Sequence, residues 1–228
     1  MSQTGVVTRL ALRELWISFR LLLLLTAYVA VGAAAALIPG SLPAILVRLA
    51  IGVSAAMVVG AALAAWSLSR DRVLGRAGWL ATRSIPRGTI LVGWFVALAL
   101  VSVLGLVAVG ALGWLAASTA SSSLDPVAFG ATFGAIACGS LVLLALGLLF
   151  GAALPPLAAT VGAAVASVLI VAAAWFALPR VALPVEALVH LPRLPGPIAI
   201  ALQGGGASLA LAALLVLAAR AALERVDL

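Results

Sequence analysis

The fold is decided by residues 68–117, which read LSRDRVLGRAGWLATRSIPRGT over 68–89 and ILVGWFVALALVSVLGLVAVGALGWLAA over 90–117. The second part contains no charged side chain and exceeds the roughly 20 apolar residues that cross about 30 Å of hydrocarbon. The first part holds five of the thirteen basic residues of the chain, all of them arginine. The stretch therefore predicts a basic loop that leads into a transmembrane helix.

Composition extends this prediction to the whole chain. The 228 residues are 66% hydrophobic and 8% charged, and the mean hydropathy is +1.34. So little polar material cannot cover a globular surface, which indicates an integral membrane protein. The net charge of +7 would suggest nucleic acid in a soluble protein, but the arginines lie at the ends of apolar runs, where they set topology and meet lipid headgroups. We expect membrane lipids, and no nucleic acid, as partners.

Six apolar runs are long enough to cross a bilayer. Residues 129–178 are too long for one crossing at 1.5 Å per residue, so two spans are favoured there, and one helix kinked at Pro155-Pro156 is the alternative. The sequence predicts a single all-α transmembrane domain over residues 1–228. Its spans are 21–38, 45–67, 90–117, 129–153, 157–178 and 204–223.

Arginine placement predicts the orientation. Ten arginines precede the first span, follow the second or close the sixth, whereas Arg48, Arg180 and Arg193 fall on the other side. Basic residues are retained in the cytoplasm, so both termini should be cytoplasmic. Residues 1–20, 68–88 and 224–228 are then inside, and 118–128 and 179–203 outside. The last of these is proline-rich and still apolar, which favours packing at the outer leaflet, in part as a re-entrant segment.

Residues 5–20 predict an amphipathic helix in the cytoplasmic interface. At 100° per residue, Arg9, Arg13 and Arg20 fall within about 40° of one another, while Ala11, Leu12, Leu15 and Phe19 share another arc. An extension of the first span with snorkelling arginines is the alternative. The leucine-rich run after it also resembles a signal peptide, although we expect a retained span. The predicted functional set is Arg9, Arg13, Leu15, Trp16, Phe19 and Arg20.

Two further patterns concern packing. Trp66, Trp94, Trp114 and Trp175 fall near span ends, where indole rings settle at headgroup level. Small residues recur at four-residue spacing, which lets helices approach closely. These stripes are Gly52, Ala56, Gly60 and Ala64, then Gly147 and Gly151, then Gly206 and Ala210.

The predicted span centres carry no ionisable side chain, although ion-coupled transporters and proton relays need one at that depth. His190 is the single histidine and has no neighbours with metal-ligand or catalytic spacing. The lack of lysine excludes a phosphate-binding loop. We therefore expect no enzymatic activity and no cofactor bound by this chain. Arg48, near the outer end of the second span, either snorkels or contacts an anionic substrate.

Residues 80–93, LATRSIPRGTILVG, resemble the entry to the third span in membrane subunits of type-2 ABC exporters. The interfacial helix, six spans and basic loop also match that family. Its members usually carry glutamate upstream and lysine after the glycine, where this chain has Asp71 and Trp94. The resemblance implies a bacterial cytoplasmic membrane protein that pairs with a second permease subunit and with two copies of a separate ATPase, which bind ATP and Mg²⁺. It also implies an inner turn at Pro155-Pro156.

The segment 68–88 is the predicted coupling loop to that ATPase. Leu74, Trp79 and Leu80 are bulky apolar residues in a basic segment, which favours a short helix docked into a partner's groove with arginines at the rim. The alternative is a loop that only anchors topology. The predicted coupling residues are Arg70, Asp71, Arg72, Leu74, Arg76, Trp79, Leu80, Arg83, Pro86 and Arg87.

Two other classes of function fit the same composition. A membrane scaffold that transports nothing would have similar spans. A secondary transporter should show inverted repeats with broken helices at corresponding positions, and the first and last three spans show no convincing repeat. Apolar walls favour a lipid, a hydrophobic drug or an amphipathic peptide as the substrate of a transporter.

Overall fold

A computed structural model describes residues 3–38, 40–75, 85–120, 125–177 and 196–225. Within these ranges the chain forms seven α-helices and no strand. The helices are α1 (Gln3–Ile17), α2 (Arg20–Leu37), α3 (Leu42–Val73), α4 (Arg87–Ala120), α5 (Pro126–Ala153), α6 (Pro156–Ala177) and α7 (Gly196–Glu224). The all-α prediction is confirmed.

Six of these helices, α2 to α7, are long and apolar enough to cross a membrane. They coincide with the six predicted spans. In hydrocarbon, every backbone N–H and C=O must be hydrogen-bonded within the segment, so a long apolar run forms a helix. The protein is a multi-pass membrane protein. Helix α4 has 34 residues and is about 50 Å long at 1.5 Å per residue, so it extends beyond the hydrocarbon core or tilts within it.

Helix α3 is the centre of the bundle, in contact with α2, α4, α5 and α6. Helices α5 and α7 pack along each other, and α1 lies against α4. Consecutive spans alternate in direction, so the start of α4 lies beside the ends of α3 and α7. We call this end of the bundle, with α1, the arginine face. It is the end that the charge bias assigns to the cytoplasm.

The α3–α5 contact uses one of the predicted small-residue stripes. A Cβ placed on Gly147 would collide with the carbonyl oxygen of Ala61, and one on Gly151 would lie 2.7 Å from that of Ala65. The two backbones therefore touch only because both positions are glycine. By contrast, Gly206 and Ala210 are exposed on α7, so their predicted stripe packs against no other part of the described bundle.

One predicted boundary was wrong. Residues 68–73 of the coupling loop are the last turns of α3, because helical hydrogen bonds continue until the carbonyl of Arg70 accepts from Leu74 N–H. Residues 196–203 form the first turns of α7, and their placement outside stays a prediction. The favoured division of 129–178 into two spans at Pro155-Pro156 is confirmed. Helix α5 ends at Ala153 and α6 begins at Pro156, since a proline has no N–H with which to continue the helix.

Candidate functional site

The arginine face gathers most of the charge that the structure describes. Eight of the nine described arginines lie there, and only Arg48 lies at the opposite end. This agrees with the predicted segregation, although Arg76, Arg83, Arg180 and Arg193 lie outside the described residues. The eight are Arg9, Arg13, Arg20, Arg70, Arg72, Arg87, Arg220 and Arg225.

Asp71 and Trp94 are bonded to each other. The indole Nε1–H donates to Oδ2 of Asp71 over 3.1 Å, and the Trp94 ring is only 2% exposed. The ring packs inside the bundle with Leu91 and Leu98, in the second turn of its helix, and its placement at headgroup level stays a prediction. The carboxylate provides the acceptor that a buried indole N–H needs.

Arg72 caps the end of another span. Its Nη1 donates to the carbonyl of Gly151 over 2.9 Å and also to that of Ala152. These carbonyls belong to the last turn of α5, which has no helical donors left and carries the negative end of the helix dipole. A cation there stabilises a helix by about 0.3–1 kcal/mol, and by more where it is partly buried. The guanidinium therefore ties α3 to α5, where an exposed rim residue was predicted.

Arg87 makes the matching contact at the other end of the loop. Its Nη1 lies 3.5 Å from the carbonyl oxygen of Leu223 and 3.3 Å from that of Glu224, at the end of α7. Arg220 of the same turn bonds the Glu224 carboxylate over 2.8 Å. A Cβ on Gly88 would lie 3.0 Å from Arg220 Nε. The start of α4 and the end of α7 thus pack closely, with the Gly88 backbone against Arg220 and the Arg87 side chain against the last carbonyls of α7.

The remaining coupling residues divide into two groups. Arg70 and Leu74 are exposed at the end of α3, and Pro86 is exposed just before α4. The predicted docking residues Arg76, Trp79, Leu80 and Arg83 lie outside the described residues. The docked helix therefore stays a prediction.

A helix forms at the N-terminus as predicted but ends earlier than expected, and its interfacial location stays a prediction. Helix α1 stops at Ile17, and Phe19 adopts φ 59°, a left-handed conformation that redirects the chain into α2. Leu15 is buried as predicted, but Phe19 is 70% exposed. Arg20 begins α2 instead of sharing an arc with Arg9 and Arg13. Its side chain is 9% exposed and donates from Nη1 to Oγ of Ser67 over 3.1 Å.

Arg48 is engaged at the opposite end of the bundle. Nη1 donates to the carbonyl of Ile38 over 2.8 Å, and Nε donates to that of Ala44 over 3.1 Å. The side chain closes the turn between α2 and α3 and lies against Gly40. A pocket of about 270 Å³ opens beside this turn, lined by residues such as Ile38, Gly40 and Thr119 but not by Arg48. This geometry gives Arg48 a structural role, and a substrate contact stays a prediction.

Several side chains of the arginine face hold helix ends to one another. No group of three metal-ligating side chains occurs among the described residues. A scan against known protein families finds no match to this chain, and a search of curated proteins finds none either. The functional argument therefore depends on the contacts themselves. Sequence reasoning missed the backbone acceptors, namely Gly151, Ala152 and the end of α7, since a backbone carbonyl carries no sequence signal. It also missed the hydroxyl of Ser67, which is 47 residues from Arg20 in the chain.

Proposed function

We propose that this chain is the membrane subunit of an ATP-driven exporter in a bacterial cytoplasmic membrane. It pairs with a second permease subunit, either an identical copy or a related chain, and couples to two copies of a separate ATPase on the arginine face. ATP and Mg²⁺ bind to that ATPase. The pathway carries an apolar or amphipathic substrate, in keeping with the apolar walls of the spans.

The observation that carries this proposal is the attachment of both ends of the 70–87 segment. Arg72 ties its start to the end of α5, and Arg87 ties its finish to the end of α7. Because α5 and α7 pack along each other, a partner that displaces this segment displaces the ends of two adjacent spans together. A loop that only anchored topology would not need bonds to two other helices.

The distribution of charge supports an external energy source over ion coupling. Within the six candidate spans, every described charged side chain lies in the first two or last two turns of its helix. Ion-coupled carriers retain ionisable groups at mid-membrane, where each costs at least about 2.5–3.5 kcal/mol. An ATPase partner supplies energy without such groups.

The test is purification of the complex from native membranes, with identification of its other chains. We expect an ATPase and a second permease to copurify. In the double variant Arg72→Gln and Arg87→Gln the ATPase should still bind, because residues 74–86 are unchanged. Its substrate-stimulated hydrolysis should fall by about tenfold, within the range of coupling energies of 1–3 kcal/mol.

Arg48→Gln is the matched control, since it removes an equivalent arginine–carbonyl contact at the opposite end of the bundle. At saturating substrate, stimulated hydrolysis should be unchanged in this variant, because loss of a substrate contact would raise the substrate concentration required but not lower the maximum rate. Copurification with a non-ATPase partner would favour the scaffold alternative. A double variant that couples normally would show that the two attachments transmit nothing.

A further inference from the structure

Helix α1 has two apolar sides. Val7, Ala11 and Leu15 are buried in the bundle. On the 100° wheel, Val6, Leu10 and Ile17 share a second arc about 40° wide, and all three side chains are at least 40% exposed. A helix that served only to pack on the bundle would need one apolar side.

A basic arc adjoins the exposed apolar one. Arg9, Arg13 and Trp16 lie within about 60° of one another, next to the Val6 edge. Both arginines are exposed, and Trp16 is 60% exposed. Arg20, Arg72 and Arg87, by contrast, donate to other parts of the chain. The charge on this part of the helix faces outward.

Helix α1 packs beside the first turns of α4. Val7 lies against Gly93, where an added Cβ would be 2.7 Å from the Val7 Cβ. Gly93 is six residues after the first residue of α4, which is about 9 Å along the helix axis. Interfacial helices bury their apolar faces about 5–10 Å into the boundary between headgroups and acyl chains. A helix packed beside the end of a span suits this boundary, where an exposed apolar arc can meet acyl chains and an adjoining basic arc can meet headgroup phosphates.

We propose that this surface of α1, formed by Val6, Leu10 and Ile17 with Arg9, Arg13 and Trp16, binds anionic phospholipid. The three aliphatic side chains lie along an acyl chain, and the two guanidinium groups pair with the phosphate and the net negative headgroup. The indole of Trp16 lies at the polar boundary, as amphipathic rings do. This site does not depend on the proposed exporter function, because it uses neither the 70–87 segment nor a partner protein.

The experiment titrates the purified full-length protein in detergent with dioleoylphosphatidylglycerol or dioleoylphosphatidylcholine and counts bound lipid by native mass spectrometry. We expect tighter binding of phosphatidylglycerol. Each juxtamembrane arginine contributes about fivefold to such binding, so Arg9→Gln with Arg13→Gln should weaken it by about 25-fold. Phosphatidylcholine binding should change little. Salt at 0.5 M should reduce the preference in the unmodified protein.

Two controls isolate the site. Arg70→Gln with Arg225→Gln removes two exposed arginines of the same face outside α1 and should leave the preference intact. The double variant Arg9→Lys and Arg13→Lys keeps both positive charges and should retain most of the preference for phosphatidylglycerol. Equal loss in the Arg70 and Arg225 pair would mean general charge attraction and would overturn the site. An unaltered preference in the Arg9 and Arg13 glutamine variant would overturn it as well, leaving the α1 surface for a protein partner.

Discussion

The indole N–H of Trp94 donates to the carboxylate of Asp71 over 3.1 Å, and this bond joins the end of α3 to the second turn of α4. The coupling segment leaves α3 just after the acceptor and re-enters α4 just before the donor. The bond therefore joins the two helices from which the segment leaves and to which it returns. The contacts of Arg72 and Arg87 hold the same two ends to α5 and α7. The described ends of the segment are therefore held to the bundle.

Removal of this bond should destabilise the protein. Trp94→Phe keeps an aromatic ring in the buried site but deletes the donor, and hydrogen bonds to charged groups contribute about 1.5–3 kcal/mol. We expect a comparable loss in the free energy of unfolding, seen as a lower Tm in matched detergent. Asp71→Asn keeps an acceptor and should cost less. If Trp94→Phe has the same Tm as the unmodified protein, the hydrogen bond contributes nothing to the free energy of unfolding.

Leu15 and Phe19 should respond differently to a charge. Leu15 is 2% exposed inside the bundle, so Leu15→Asp buries a carboxylate without a partner, which typically costs several kcal/mol. Phe19 is exposed, and Phe19→Asp should cost much less. Phe19→Gly should be neutral or stabilising, because glycine adopts φ 59° without strain. Expression level and Tm of the three variants test this order, and an equal loss for Leu15→Asp and Phe19→Asp would place Phe19 in the packed face.

Gly147 should not tolerate a methyl group. An added Cβ would collide with the Ala61 carbonyl, so Gly147→Ala forces α3 and α5 apart at a cost of about 1–3 kcal/mol. Gly206→Ala is the matched control on an exposed helix face, where alanine's helix propensity makes the change neutral or slightly favourable. Thermal unfolding of both variants provides the comparison. A stable Gly147→Ala protein would contradict the close α3–α5 contact.

Orientation can be tested by labelling at two exposed positions. Leu74 lies on the arginine face and Val127 at the opposite end, and both are more than half exposed. In a background with Cys138→Ala, an impermeant thiol reagent added outside intact cells should label Val127→Cys and not Leu74→Cys, since arginine-rich segments stay in the cytoplasm. Labelling at position 74 alone would reverse the topology.

The sequence by itself determined the number and order of the spans. Transfer of an apolar side chain from water to hydrocarbon is a local property, so a run such as 90–117 specifies a span without reference to its neighbours. The break at Pro155-Pro156 is equally local, because proline lacks the N–H that a continuing helix needs. Segregation of the arginines onto one face also follows from where the runs end.

Only the tertiary structure decided which groups meet. The sequence marks Gly147 and Gly206 alike as parts of small-residue stripes, yet only Gly147 lies against another helix. The sequence places Trp94 near a span end but does not show that its ring packs inward and donates to Asp71. Arg72 binds the end of a helix whose final carbonyls have no sequence signature. These outcomes depend on the crossing and rotation of whole helices. Many weak packing contacts set that geometry jointly, and no short stretch of the chain encodes it.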